Sequence, residues 1–169
     1  MSTESSDAFD GIATSLDPPL LVVSTAVDDE RAGCLVGFHA QASIDPVRYC
    51  VWISKANHTY RLAVRAGHLA LHFLTVDDLA LAERFGTTSG DDVDKFAGLR
   101  VEAGPDGVPL LLDCPHRLVV RRTALLDDGG DHVCLTTQTV HAETPGPFRP
   151  LRLSHADHLV PGHDSDERQ

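Results

Sequence analysis

The sequence predicts a mainly β protein in which six or seven antiparallel strands form a barrel with short helical insertions. Three observations support this fold class. Apolar and β-branched runs recur along the chain, the helical patterns between them are short, and strands and helices do not alternate as βαβ units would. The length of 169 residues fits one domain. We therefore expect a single domain over 1–169, with its core at about 18–143.

The strand patterns are bounded by Gly, Pro and Asp-rich turns. They lie at 20–27, 34–40, 47–54, 68–74, 116–126, 132–142 and, more briefly, 150–153. The segment 47–54 alternates regularly, which is typical of a half-buried strand. The turn Asp127-Asp128-Gly129-Gly130 predicts a hairpin between the two longest strands.

Three short helices are predicted, at 5–16, 58–67 and 78–85. Pro18-Pro19 ends the first helix, Asn57 is a typical N-cap for the second, and Gly67 stops it. We expect 1–17 to form an N-terminal helix or arm and 160–169 to be a mobile tail.

Composition excludes several classes of partner. The formal net charge of −11 opposes binding to nucleic acid and to anionic lipid, so we expect neither as a partner. No apolar run approaches the ~20 residues of a membrane span, and the acidic start lacks a secretory pattern, so we expect a cytoplasmic protein. The four cysteines include no C-x-x-C pair, which indicates buried free thiols.

Two segments could contact a ligand. The segment 54–61 leaves a strand and opens a helix, where Lys55, Asn57, Thr59 and Arg61 surround amides that could hold an anion. The alternative is that Asn57 only caps the helix. In the segment 33–46, Gly37 interrupts a strand, which indicates either close approach of a ligand or a bulge.

Histidine is abundant, with ten residues. His132 follows the hairpin turn and would lie at the barrel rim, where it could contact a substrate or be a solvated turn residue. His68 and His72 would lie about 13 Å apart on one strand face, too far to share a metal. His155, His158 and His163 fall near a predicted mobile tail, so we expect no metal site. No P-loop, G-x-S-x-G or G-x-G-x-x-G motif occurs.

Five motifs in order resemble the flavin reductase-like family of FMN-binding split barrels, over roughly 18–143. They are the Gly33–Pro46 segment ending Ser-Ile-Asp-Pro, the turn within Val51–Tyr60, His72-Phe73-Leu74, Lys95-Phe96-x-Gly98-Leu99, and Gly130-Asp131-His132.

This resemblance implies a Greek-key split barrel, a homodimer with FMN (or FAD) near the interface, and NADH or NADPH as electron donor. It implies a flavin reductase that supplies reduced flavin to a monooxygenase component. The residues implied to contact the ring and the ribityl chain are Leu35, Val36, Gly37, Phe38, Gln41, Ala42, Ser43 and His72. Those implied around the ribityl and phosphate groups are Ser54, Lys55, Asn57, His58 and Thr59. His132, as the catalytic residue, would dock the nicotinamide with Lys95 and Phe96.

The chain departs from the family pattern at four of these positions. Leu35, Gly37 and Gln41 stand where hydroxyl residues are common, and His72 stands where Asn is usual. Two alternatives therefore stay open: a non-catalytic flavin- or haem-binding module, and a deazaflavin-dependent reductase.

Overall fold

A computed structural model describes residues 2–160 and 162, and it contains one seven-stranded antiparallel sheet. Its strands are β1 (Leu21–Val27), β2 (Glu30–Val36), β3 (His39–Ser43), β4 (Arg48–Ser54), β5 (His68–Phe73), β8 (Arg117–Leu126) and β9 (His132–Glu143). Their order across the sheet is β2-β1-β5-β8-β9-β4-β3. A separate two-stranded hairpin consists of β6 (Val101–Ala103) and β7 (Pro109–Leu111). The predicted mainly β fold is confirmed.

The sheet curls until its two edges approach each other. The edge strands β2 and β3 are consecutive in the chain, separated only by Gly37 and Phe38. The Trp52 amide of β4 donates to the Phe38 carbonyl at 2.9 Å, which ties this connection to the far edge of the sheet. The split of the barrel therefore lies at 37–38.

Two apolar clusters lie on the two faces of the sheet. The cluster inside the curl includes Leu21, Val23, Val51, Ile53 and Leu135, all essentially inaccessible to solvent. The second cluster lies outside β1 and β5 and includes Leu20, Val22, Leu74, Phe85 and Leu151. Burial on both faces explains why residues 20–27 read as a continuous apolar run rather than an alternating one.

The helices are α1 (Thr3–Leu16), α2 (His58–Ala63) and α3 (Leu79–Thr87). Asn57 caps α2 as predicted, because its side chain accepts a hydrogen bond from the Thr59 amide. None of the residues of α1 is buried. No helix in the described part of the chain is long and apolar enough to cross a membrane.

Two predicted strands, 34–40 and 150–153, differ from the structure. Asp28 and Asp29 both have positive φ, which forms a tight two-residue hairpin, so β2 already starts at Glu30. The predicted strand 34–40 is divided between β2 and β3 at the barrel split. The predicted strand at 150–153 is reduced to isolated bridges, Thr75 with Pro150 and Pro19 with Arg152, followed by a 3₁₀ turn at Leu153–His155.

The cysteine prediction is confirmed, since all four thiols are free and buried. Most of the predicted mobile tail, 161 and 163–169, lies outside the described residues.

Candidate functional site

A groove of about 420 Å³ opens at the barrel split. Its first wall is the end of β2 and the connection to β3, and its second wall is the end of β4 with His132 of β9. Its residues are mainly apolar, with a few polar groups at one end. They are Pro18, Leu20, Cys34, Leu35, Val36, Gly37, Phe38, Trp52, Ile53, Ser54, Asn57, Phe85, Gly86, His132, Leu153, Ala156 and Leu159.

His132 is held in a defined orientation at the rim of this groove. Its Nδ1 lies 2.8 Å from Oδ1 of Asp131, and its ring packs edge-on against Phe38 with centroids 5.1 Å apart. Because a carboxylate only accepts hydrogen bonds, Nδ1 carries the proton in the neutral ring. Nε2 is then unprotonated and can accept a hydrogen bond. The hydrogen bond from His132 lowers the pKa of the Asp131 carboxyl.

The turn after β4 contributes only part of its predicted residues to the groove. Ser54 and Asn57 line the groove, whereas Lys55, His58 and Thr59 do not. The Lys55 ammonium lies 2.8 Å from Asp127 of the β8–β9 turn, and this hydrogen bond raises the pKa of Lys55. Thr59 is buried, with its side chain beside the Cys34 thiol.

His58 lies in a second, smaller depression of about 320 Å³. Its ring nitrogens lie 2.9 Å from Asp91 and 3.2 Å from Glu30, and Arg61 also pairs with Asp91. His58 therefore joins the start of β2 to the loop that carries Asp91, and we correct its predicted position beside the ligand.

Lys95 and Phe96 were predicted to lie with His132, and the structure separates them from it. The buried Lys95 ammonium donates to the carbonyls of Gly33 at 3.2 Å and Phe85 at 3.0 Å. Phe96 packs edge-on against Phe85. Both residues line the His58 depression instead of the groove. Burial lowers the pKa of Lys95.

His72 also lies outside the groove, fully buried in the second cluster's layer. Its Nδ1 lies 3.3 Å from the Val22 carbonyl, and its Nε2 accepts from the Leu111 amide at 3.0 Å. Both ring nitrogens are thus used to join β1 to β7. Burial lowers the pKa of His72 to about 4, so the ring is neutral and structural.

Of the predicted residues around the barrel split, Leu35, Val36, Gly37 and Phe38 line the groove. Gln41, Ala42 and Ser43 instead line a shallow surface depression with Ile44 and Asp45, away from the groove. The break between β2 and β3 explains this difference, because residues beyond Phe38 belong to the opposite edge of the sheet.

One wall of the groove was missed from the sequence. Leu153, Ala156 and Leu159 line it, and they belong to a C-terminal segment (151–159) that we call the strap. Asp17 anchors the strap, because its carboxylate accepts from both the amide and the hydroxyl of Ser154 at 2.8 Å. The only sequence signal for this wall was the apolar spacing of residues 153, 156 and 159, and the nearby Pro150 argued against a regular element there.

Comparison with known proteins gives a consistent result. The sequence model of the Flavin reductase like domain matches residues 13–158. "FMN reductase (NADH) SmoA" of Agrobacterium fabrum is 28% identical over 139 residues, covering 82% of this chain and 77% of that protein. "Ferric-chelate reductase (NAD(P)H)" of Archaeoglobus fulgidus is 23% identical over 125 residues, covering 73% and 74%.

The fold also matches solved structures. The NADH:FAD oxidoreductase SgcE6 of Streptomyces globisporus has a TM-score of 0.75 at 18% identity, covering 89% of this chain and 95% of that one. A longer protein of Sinorhizobium meliloti 1021 also has a TM-score of 0.75, at 20% identity; the match covers 86% of this chain but only 49% of that one. With a family match that spans most of its length, from α1 to the strap, the chain belongs to the flavin reductase-like family.

Proposed function

We propose that this chain is an NAD(P)H-dependent flavin reductase that binds FMN in the groove at the barrel split. The observation that carries the proposal is an apolar groove that ends at an oriented histidine. Family membership and the named activities of the two reductase relatives support the same reaction.

The groove suits a flavin ring in size and chemistry. Its volume of about 420 Å³ lies in the range of ~300–1,000 Å³ typical of small-molecule sites. Leu35, Phe38 and Trp52 offer apolar surface, while Ser54 and Asn57 offer hydrogen bonds at one end. When bound, the flavin supplies the chemistry by accepting a hydride from the nicotinamide.

The protein's own residues would orient the reactants and exclude water. Asp131 fixes the proton of His132 on Nδ1, so that Nε2 can accept a hydrogen bond from the carboxamide of the nicotinamide. Phe38 limits rotation of the ring by edge-on packing. His132 thus acts as a docking group, and its position at the groove rim supports that role.

The outer face of the sheet supports a homodimer. By register, Trp52, Cys134 and Leu126 lie in one row across β4, β9 and β8, next to Phe38. Phe38 and Leu126 are 60% and 63% exposed. The solvated face of an antiparallel sheet is normally polar, so an apolar row that starts at the groove favours a partner subunit there.

The dimer can be tested by light scattering after size-exclusion chromatography. Leu126→Glu should convert a dimer into a monomer, whereas Leu16→Glu on the exposed helix α1 should not. A wild-type monomer at micromolar concentration would refute the dimer. We further propose that the reduced flavin is consumed by an oxygenase component; a purified oxygenase that gains activity only with this reductase would support that step.

The reductase activity itself is tested by mixing protein, FMN and NADH or NADPH and following nicotinamide absorbance. We expect His132→Ala to lower the rate at subsaturating nicotinamide by about tenfold, the loss of one good polar contact. His141→Ala, an exposed histidine on the same strand, is the matched control. No nicotinamide oxidation above background by wild type would refute the proposal.

A further inference from the structure

We infer that the groove selects flavins by their ring system and hardly by their phosphate, so that riboflavin and FMN bind with nearly equal affinity. This inference rests on the proposed function, because it concerns the same groove. It reverses the expectation from sequence that the turn after β4 holds a phosphate.

The first reason is the absence of charge. Among the described residues that line the groove, none is Lys, Arg, Asp or Glu. The nearby cationic side chains point to other partners. They pair as Lys55 with Asp127 at 2.8 Å, Arg61 with Asp91, and Arg31 with Asp94 at 2.7 Å. A phosphate dianion would therefore meet no free cation from this subunit's described groove residues.

The second reason is that the amides of the turn are already used. Five of the six backbone N–H groups from Lys55 to Tyr60 donate within the protein. The Lys55 amide donates to the Asp131 carbonyl at 2.8 Å, and the Asn57 side chain accepts from Thr59 at 3.0 Å. A phosphate that bound here would first have to break these hydrogen bonds, which offsets what it gains.

The third reason is the overall field. The chain carries a formal net charge of −11, and a dianion approaching it without a local cation is repelled. The ring system, in contrast, is uncharged and meets Leu35, Phe38 and Trp52. The free energy of binding should therefore come from the part that riboflavin and FMN share.

The experiment is a titration of the protein into riboflavin and into FMN, followed by quenching of flavin fluorescence, which does not require turnover. We expect the two dissociation constants to agree within about threefold, and FMN affinity to fall by less than about twofold between low and high salt. FMN binding more than about tenfold tighter than riboflavin would overturn the inference.

Two variants sharpen the result. Lys55→Met should leave both affinities unchanged, whereas a selective loss of FMN affinity would show that Lys55 leaves Asp127 to reach a phosphate, and would overturn the inference. Phe38→Ala should weaken riboflavin and FMN by the same factor; unequal loss would count against ring-based selection. If neither flavin binds to wild type, the proposed function fails; if only FMN binds, the proposed function stands and the inference fails.

Discussion

Asp131 holds the imidazole of His132 through a hydrogen bond of 2.8 Å to Nδ1, at the rim of the apolar groove of the barrel split. The bond fixes which nitrogen carries the proton. Asn at this position could donate instead of accepting, which would favour the other tautomer.

We therefore predict that Asp131→Asn raises the KM for NADH, or lowers kcat/KM, by about tenfold. Flavin affinity should be unchanged, because Asp131 does not line the groove. Steady-state kinetics with varied NADH, together with flavin titration, separates the two effects. Asp128→Asn is the control, since Asn can still accept from the Gly130 amide. A parallel loss of flavin affinity would indicate a merely structural role for Asp131.

His72 predicts a specific pH dependence of stability. Its folded-state pKa is lowered to about 4 by burial, while the unfolded value is near 6.5. As the pH falls, His72 is protonated in the unfolded chain before it is protonated in the folded protein. Its contribution to the free energy of unfolding is therefore fully present above about pH 6.5 and is lost as the pH falls toward 4. The loss from this residue should be on the order of 3 kcal/mol.

Urea unfolding at pH 7 and pH 5 measures this effect. His72→Asn keeps one donor and one acceptor between Val22 and Leu111 but does not titrate in this range. We expect the variant to be less stable than wild type at pH 7, because Asn fills less volume, yet to lose less stability on acidification. Equal pH slopes for the two proteins would contradict the assignment.

Lys95 should contribute to stability rather than to nicotinamide binding. Lys95→Met leaves the carbonyls of Gly33 and Phe85 without their donor in a buried region. We expect a loss of about 2 kcal/mol in the free energy of unfolding. The KM for NADH should remain within about twofold of wild type. A large rise in KM at unchanged stability would restore the role that the family resemblance implied.

The sequence predicted the sheet more accurately than the site, because strands and hairpins are determined by residues that are neighbours in the chain. Strands such as 47–54 carry their own alternating pattern, and the β8–β9 hairpin carries its own turn residues, so neighbouring residues determine both. Whether Lys55 reaches a ligand depends on Asp127, which is 72 positions away. The burial of Lys95 and His72 likewise depends on contacts with distant strands. Most of the described histidines, His39, His72 and His116 among them, are held by hydrogen bonds within the protein, which accounts for part of the excess.

The close approach that the sequence indicated at Gly37 occurs at Gly33 instead. Gly37 was the candidate for close approach, but a Cβ there would meet only Leu20 at 3.4 Å. A Cβ at Gly33 would lie 2.8 Å from Phe85, 3.0 Å from Phe96 and 3.1 Å from the Val23 carbonyl. Gly33 is therefore the position where another part of the chain packs directly on the backbone.

We predict that Gly33→Ala destabilises the protein by about 1–3 kcal/mol through overpacking. Gly37→Ala should change stability by less than about 1 kcal/mol but should narrow the groove and weaken flavin binding. Thermal unfolding and flavin titration of both variants check the pair. If Gly37→Ala were the more destabilising of the two, the packing described for Gly33 would be wrong.

The strap provides the last prediction, because Asp17 connects it to the rest of the protein. Hydrogen bonds from the amide and hydroxyl of Ser154 lower the pKa of Asp17. The Asp17 carboxyl therefore stays ionised and keeps both hydrogen bonds at any pH above its ordinary pKa near 4. The attachment of the strap is lost as the pH falls through the lower pKa of the folded state.

Asp17→Asn should loosen the strap at neutral pH, since Asn replaces two charge-assisted hydrogen bonds by weaker ones yet still tolerates the left-handed backbone at this position. We expect faster hydrogen exchange in 151–159 and a flavin dissociation constant raised about threefold to tenfold, because Leu153 and Leu159 form one wall of the groove. Asp10→Asn on the exposed face of α1 should change neither quantity. Faster exchange in 151–159 without any change in flavin affinity would show that the strap wall does not contact the bound flavin.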